Sequence, residues 1–259
     1  MPSPSHWLTA ALALCVALPA HADDPITLRV LCYNIHHGEG TDGKVDLPRL
    51  AKVISGARPD LVALQEVDHK TLRTGGIDQT AELARLTGLH GRFGRQIDFE
   101  GGQYGQAILS RDPISEVSIH WLPGVPDRER RIAVTVDMAV GEQTVKFATT
   151  HLHHIQGELR QQQATQLNEI LARSSTPTIL AGDLNADPDS EPLAILIREW
   201  RLTPTSTALH TYPSEAPTKQ IDYILARPAD KIRVVSTEVL AERVASDHRP
   251  LLAVIELQP

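Results

Sequence analysis

Residues 176–190 read TPTILAGDLNADPDS, and the transition inside that stretch governs how the rest of the chain is read. An apolar, strand-like run from Thr178 to Ala181 meets Gly182, after which Asp183 and Asn185 fall two residues apart. In an extended backbone, residues two apart project to the same side. An acid and an amide presented together at a strand end suit the placing of a water nucleophile. The carboxylate can orient or deprotonate the water, and the amide can steady the carboxylate or donate to a phosphate oxygen. A turn rich in Asx caps accounts well for Asp187 and Asp189, but less well for Asp183, which is still on the strand side of the bend.

Outward from this stretch, apolar and β-branched runs recur at 26–33, 61–67, 105–110, 131–140, 144–152, 220–228, 231–240 and 251–257. Helical patterns lie between them at 47–57, 81–87, 158–173 and 192–200, with Asp46, Asp78 and Ser190 placed to cap three of the starts. Strands outnumber helices and the turns between the late strands are short. The expected fold is α/β, with two facing sheets covered outside by helices, rather than a single parallel sheet. No repeat, heptad or long low-complexity linker is visible, and the Pro-containing loops at 121–130 and 202–217 read as surface excursions that shape a cleft.

Several polar residues stand where the apolar runs end. Glu66 follows a run whose two faces, Leu61 with Ala63 and Val62 with Leu64, both look buried. A carboxylate there is costly to bury unless it meets a cation or a donor; the alternative is an ordinary solvated acid. Asn34 ends LRVLCYN, where its oxygen can join a cation shell, its nitrogen can hold a carboxylate, or an Asx turn can lead into IHHGEG. Asp247 and His248 precede the last strand, with Asp247 facing a metal and His248 a phosphate, and Asp222 on a separate strand is a partner able to fix the His248 tautomer.

His151 ends another strand, in TTHLHH, where it can donate to a phosphate or protonate a leaving oxygen. His153 should project to the same side and His154 away. Three histidines in four positions raise a zinc site, but the other candidate ligands are hard oxygens that suit magnesium, manganese or calcium. Tyr104, Arg130 and Arg131 precede strands, and the phenol and one guanidinium can hold phosphate oxygens. His36 and His37, adjacent in a Gly-bearing loop, are assigned to no ligand shell.

Residues 1–22 carry no Asp, Glu, Lys or Arg and end in an Ala-His-Ala triplet, as an export signal with its cleavage site would. Its removal leaves 237 of 259 residues, read as one domain over 23–259 and expected to be periplasmic or secreted, monomeric and without a membrane span. Cys15 leaves with the signal, so Cys32 stands alone and reads as a buried small hydrophobe. The net charge of −7 offers no long-range attraction to a polyanion, which counts against tight nonspecific nucleic-acid binding without excluding a nuclease.

Taken in order, YNI, QEV, YGQAILSR, THL, GDLNADP, IDYIL and SDH resemble the endonuclease/exonuclease/phosphatase superfamily over almost the whole mature chain. That group includes pancreatic-type deoxyribonuclease, base-excision repair endonucleases, neutral sphingomyelinases and inositol polyphosphate 5-phosphatases. The resemblance implies a four-layer α/β sandwich with two mainly antiparallel sheets. It implies Glu66 as principal ligand of a divalent metal, Mg2+ or Mn2+, with Asn34 and Asp247 beside it. It further implies that His248, held by Asp222, acts with Asp183 and Asn185 around an attacking water, while His151 and Tyr104 contact phosphate. Arg130, Arg131 and His153 complete the expected phosphate-binding set. Two positions depart from the pattern: Gln106 where many relatives have Asn, and His153 where many have Asp.

The expected function is metal-assisted attack of water on a phosphate ester, first a phosphodiester. A nuclease on DNA or RNA, a lipid phosphodiesterase of sphingomyelinase type and an inactive binding domain of the same fold are the alternatives. No long apolar membrane-binding hairpin is evident, and the presence of Glu66, Asp183 and His248 together favours the enzyme.

Overall fold

Period-two alternation along the strands sorts their side chains into separate apolar layers. The computed structural model describes residues 25–126, 128–155, 157–171, 173, 175–202 and 208–258; the expected signal segment, residues 1–22, lies outside them. The strands are β1 (Ile26–Asn34), β2 (Leu61–His69), β3 (His90–Phe99), β4 (Gly102–Ser110), β5 (Ser118–Trp121), β6 (Ile132–Val140), β7 (Gln143–His151), β8 (Thr178–Asp183), β9 (Asp222–Arg227), β10 (Ile232–Val239) and β11 (Leu251–Leu257). They form a six-stranded sheet, β10-β11-β1-β2-β4-β3, and a five-stranded sheet, β5-β6-β7-β8-β9. Only β1/β2 and β7/β8 pair in parallel among these neighbours.

One set of alternate residues fills the space between the sheets: Val30 and Cys32 from β1, Ala63 from β2, Phe147 from β7, Ala181 from β8 and Ile224 from β9. The other set, with Leu31, Tyr33, Val62 and Leu64, packs under α1 (Leu47–Ala57) and α2 (Gln79–Thr87). On the far side Ala148, Leu180 and Leu225 meet α3 (Gly157–Leu171) and α4 (Glu191–Leu196). The result is the four-layer sandwich, helices outside and two sheets within. Among the described residues no helix is long and apolar enough to cross a membrane.

The helices follow their local signals closely. Asp46 and Asp78 accept from the backbone N–H groups of Arg49 and Ala81 and so cap α1 and α2. Ser190 does not cap α4 with its side chain; its hydroxyl turns back to donate to Asp187 O at 2.6 Å. Two strands were not visible in the sequence. β3 and β5 are outer strands, and β3 carries glycines and exposed polar residues in place of an apolar run. The 202–217 loop, described at 202 and 208–217, keeps Ala208, His210, Pro213, Glu215 and Ala216 exposed at the surface while burying Thr211 and Ser214 completely.

At the C-terminal end of β2 the ladder to β4 breaks: Leu64 pairs with Ala107 and Val67 with Gly105, so Gln65 and Glu66 together face one residue, Gln106. This bulge lets Leu64 and Val67 both stay in the layer under the helices, while Gln65 points between the sheets to Thr149 at 2.9 Å. Glu66 absorbs the extra length at φ +58°, a left-handed conformation that costs a residue with a Cβ about 1 kcal/mol or more. Glu66→Gly should therefore be more stable than Glu66→Ala by about 1 kcal/mol in chelator, read by urea denaturation, because both lose the carboxylate and only alanine keeps the strain. Equal midpoints would mean that the bulge relaxes once the carboxylate is gone.

Candidate active site

Where the inter-sheet apolar layer ends, the same alternation continues into polar residues: Cys32 to Asn34, Ala63 to Gln65, Ala181 to Asp183, and Ile224 back to Asp222. Register then aligns them. His151 of β7 pairs with Asp183 of β8, and Asp183 with Asp222 of β9, so the three side chains stand in one row on the inner face. The chain reaches Asp183 through Gly182, where a Cβ would lie 2.2 Å from Thr150 O. Backbone that close to its neighbour admits only glycine.

Asp183 is 2% exposed and its Oδ2 lies among three nitrogen groups: Asn34 Nδ2 at 3.1 Å, His151 Nε2 at 3.4 Å and His248 Nε2 at 3.7 Å. Its other oxygen accepts the Asn185 N–H at 2.9 Å, while the Asn185 amide donates to Leu152 O. His248 turns its Nδ1 to Asp222 Oδ2 at 2.9 Å, and the Thr211 hydroxyl donates to the same oxygen. Asp222 Oδ1 is buried with no hydrogen-bond partner. Across the gap, Asn34 Nδ2 also donates to Glu66 Oε1 at 3.0 Å. Glu66, Tyr104, Arg131, His151, Asp183, Asn185, Asp247 and His248 thereby line one cleft of about 580 Å³.

Burial and crowding set the charges. Burial, then the neighbouring Asp222 charge, raises the Asp183 pKa to about 7. Burial alone would lower His248, but Asp222, by charge and hydrogen bond, together with Asp183 and Asp247, outweighs it and pushes the imidazole up to about 10. His151 goes the opposite way, held well below its usual range by burial and the nearby Arg131 charge. Burial and the Glu66 charge hold the Tyr104 hydroxyl well above its ordinary range. The set therefore contains an imidazolium, a neutral imidazole, a neutral phenol and a carboxylate whose pKa is raised toward neutrality. Asp183, Asp222 and His248 each offer one ligand atom within 4.8 Å of the others, close enough to hold a metal ion that displaces the His248 proton.

The remaining candidates divide. Arg131 is 2% exposed and lines the cleft, with Nη1 3.1 Å from the Glu129 carboxylate. Arg130 is not brought to the cleft: it points to the surface and lays its guanidinium 4.2 Å from the Trp121 ring centroid. The expected order of His153 and His154 is reversed. β7 ends at His151, so alternation stops there; His154 lines the cleft, whereas His153 is buried, its N–H held by Gln163 of α3. Gln106 is also interior, donating to Ile132 O at 3.1 Å and accepting from Thr149.

Other residues at the site carried no local sequence signal. Tyr212 packs on His248 with ring centroids 4.9 Å apart, and Arg160, Lys219 and Glu129 line the cleft. Arg73, paired at 2.8 Å with the fully buried Asp68, places its guanidinium 5.5 Å from the Tyr104 ring centroid. These contacts join segments far apart in sequence, which no window of neighbouring residues reveals.

Comparison with known proteins agrees with this geometry. The YbhP protein of Escherichia coli K12 is 27% identical over 253 residues, covering 89% of this chain and 97% of its own. The protein cwh43 of Schizosaccharomyces pombe is 27% identical over 168 residues, 64% of this chain but only 17% of its own length. A crystal structure of an endonuclease/exonuclease/phosphatase from Beutenbergia cavernae superposes with a TM-score of 0.74 at 28% identity, covering 90% of this chain and 72% of that one. The model of the Endonuclease/Exonuclease/phosphatase family matches residues 31–248, which run from the middle of β1 to the histidine of the Asp222–His248 pair. With fold, strand-end residues and family model in agreement, the chain belongs to the endonuclease/exonuclease/phosphatase family.

Proposed function

We propose that this protein is an exported, divalent-metal-dependent hydrolase of a compact phosphate ester, in the first place a phosphodiester, that directs water at phosphorus without a covalent enzyme intermediate. Family membership and the metal-competent cluster support a metal-dependent phosphoesterase in general. The observation that carries the finer proposal is the setting of Asp183: a buried carboxylate with its pKa raised, its Oδ2 among Asn34, His151 and His248 in one cleft with Glu66.

The residues fit a hard cation. Glu66 and Asp247 bring carboxylates to the cleft, a hard-oxygen donor set whose charge a divalent ion would offset, and the buried Asp222 Oδ1 has no hydrogen-bond partner. Glu66 and Asp247, with Asn34 beside them, would hold Mg2+ or Mn2+, which when bound neutralises phosphate charge.

Asp183 would take the proton from the attacking water, since His248 is already protonated at neutral pH and has no lone pair to offer. His248, held by Asp222, would instead donate to the phosphoryl oxygens as charge gathers on them. His151 and Tyr104, both neutral, would add N–H and O–H donors, and Arg131 a guanidinium. As the new P–O bond forms, the opposite P–O bond breaks and the leaving oxygen departs with a proton drawn from these donors or from water.

The test is an assay of mature protein with Mg2+ or Mn2+ and with chelator against DNA, RNA, sphingomyelin, phosphoinositides and small phosphoesters. Metal-dependent turnover of a small ester or lipid headgroup is expected, with polynucleotide cleaved poorly. Asp183→Asn and His248→Ala should each lower kcat/KM by about 10²- to 10⁴-fold. No turnover by a protein that still binds metal and phosphate would identify a binding domain, and efficient cleavage of DNA would replace the substrate assignment.

The pH profile follows from the two shifts. Activity should rise through an apparent pKa at or below 7 as Asp183 ionises and fall at or below about 10 as His248 deprotonates, since a bound cation pulls both values down. Because His248 is raised from 6.5, its stabilising contribution is complete below pH 6.5 and is lost as pH rises through about 10. In Asp222→Asn the alkaline limb should move down toward neutrality; a limb that stays put would separate it from His248. For export, intact mass after expression of the whole chain in a bacterial host should show an N-terminus at Asp23. Uncleaved protein retained in the cytoplasm would remove that part of the proposal.

A further inference from the structure

Adjacent side chains seldom converge, because strand alternation and helical rotation both send them apart. His36 and His37 are brought together by an unusual turn. Both have positive φ, 45° and 44°, and their ring centroids are 4.4 Å apart. The turn is braced on several sides: the Gly38 N–H donates to Ile35 O, the Glu39 N–H to His36 O, and Gln79 Nε2 to His37 O at 2.7 Å. Backbone strain in two consecutive residues persists only where surroundings over-determine it. Its result is that one nitrogen from each ring and one Glu66 oxygen lie within 4.8 Å of one another.

Hydrogen bonding sorts the ring nitrogens. His36 Nδ1 lies 3.2 Å from Glu39 O, which can only accept, so Nδ1 carries the proton and Nε2 keeps its lone pair. His37 Nε2 faces the Glu39 carboxylate at 3.8 Å, while its Nδ1 is buried without a hydrogen-bond partner. Histidines that bind metals give their second nitrogen to a carbonyl or carboxylate, as His36 does to Glu39 O. The Glu39 carboxylate lies near the His37 ring without a hydrogen bond to it.

We infer that His36, His37 and Glu66 form a site for a borderline transition-metal cation of the Zn2+ class, separate from the oxygen-lined position at Glu66 and Asp247 and sharing only Glu66 with it. Two imidazoles and a carboxylate match that cation better than Mg2+, which takes oxygen. Three protein ligands also leave a position open for water or a phosphate oxygen. Seating the ion requires the donors to close to about 3.3 Å, the edge of a tetrahedron with bonds of about 2.0 Å. The TTHLHH histidines form no such set, because His153 packs beside α3 while His154 lies 3.4 Å from Arg131.

The probe is Co2+, added to tag-free, chelator-stripped mature protein and followed by visible absorption and calorimetry. One equivalent should bind with the intense bands of a low-coordinate nitrogen–oxygen site. His36→Ala and His37→Ala should each weaken binding by more than about 100-fold. His248→Ala should keep the bands. Circular dichroism checks each fold, and His36→Gln with His37→Gln replaces the alanine pair if that pair is destabilised. Bands that survive both histidine substitutions, bands lost in His248→Ala, or no cobalt uptake would each overturn the inference. Since cobalt binding is read without substrate, absence of hydrolysis beside intact binding would count against the proposed function alone.

Discussion

The Asn34 side chain is the joint on which this end of the molecule depends. Its Nδ2 donates to Glu66 Oε1 at 3.0 Å and to Asp183 Oδ2 at 3.1 Å, linking a carboxylate from each sheet. Two acids brought together across the mouth of a dry core repel, and that repulsion favours splaying the sheets apart. An amide is a neutral donor with two N–H groups, so one side chain can serve both acids without adding charge. Its oxygen accepts the His36 N–H at 3.0 Å, and its backbone carbonyl accepts the Ser246 hydroxyl at 2.7 Å. That hydroxyl in turn accepts the His248 N–H, so the loop bearing Asp247 and His248 is keyed to the same residue.

Around this joint the structure concentrates features that are costly elsewhere in a fold. Glu66, Asn185, His36 and His37 all have positive φ, and Asp183, Asp222 and His248 are buried ionisable groups. The three apolar layers behind them offset that cost, because strands with apolar residues on both faces hold the strand ends rigidly in register. The two parallel pairs matter most. β1/β2 and β7/β8 bring four C-terminal strand ends to one edge, and β9 starts there with Asp222. An acid placed at the end of an apolar strand is thus positioned by packing many residues away from it.

How much of this was legible in the sequence follows from how far alternation reaches. Strands buried on both faces announced themselves, and so did Asp183, Asp222 and His151 at their ends. Alternation failed where the backbone left the strand, reversing His153 and His154 and leaving open which of Arg130 and Arg131 reaches the cleft. The outer strands β3 and β5 lack a continuous apolar run and were invisible for that reason. The Glu66 bulge was hidden because an extra residue changes the pairing without changing composition. Thr211 and Tyr212 were unreadable for a different cause: their partners, Asp222 and His248, lie in other segments, and only tertiary packing supplies the contact.

Charge at two length scales narrows what the cleft can receive. At long range the net charge of −7 repels a polyanion, and salt cannot turn repulsion into attraction. At short range Arg131, Arg160 and Lys219 line the same cleft as Glu66 and Asp183. A compact phosphoester meets these local cations without presenting a long charged chain to the acidic surface, whereas a polynucleotide must cross that surface before it reaches them. The cleft, at about 580 Å³, falls in the size range of small-molecule pockets. For the proposed phosphoesterase, long-range repulsion and local attraction would together favour a compact ester over a polymer.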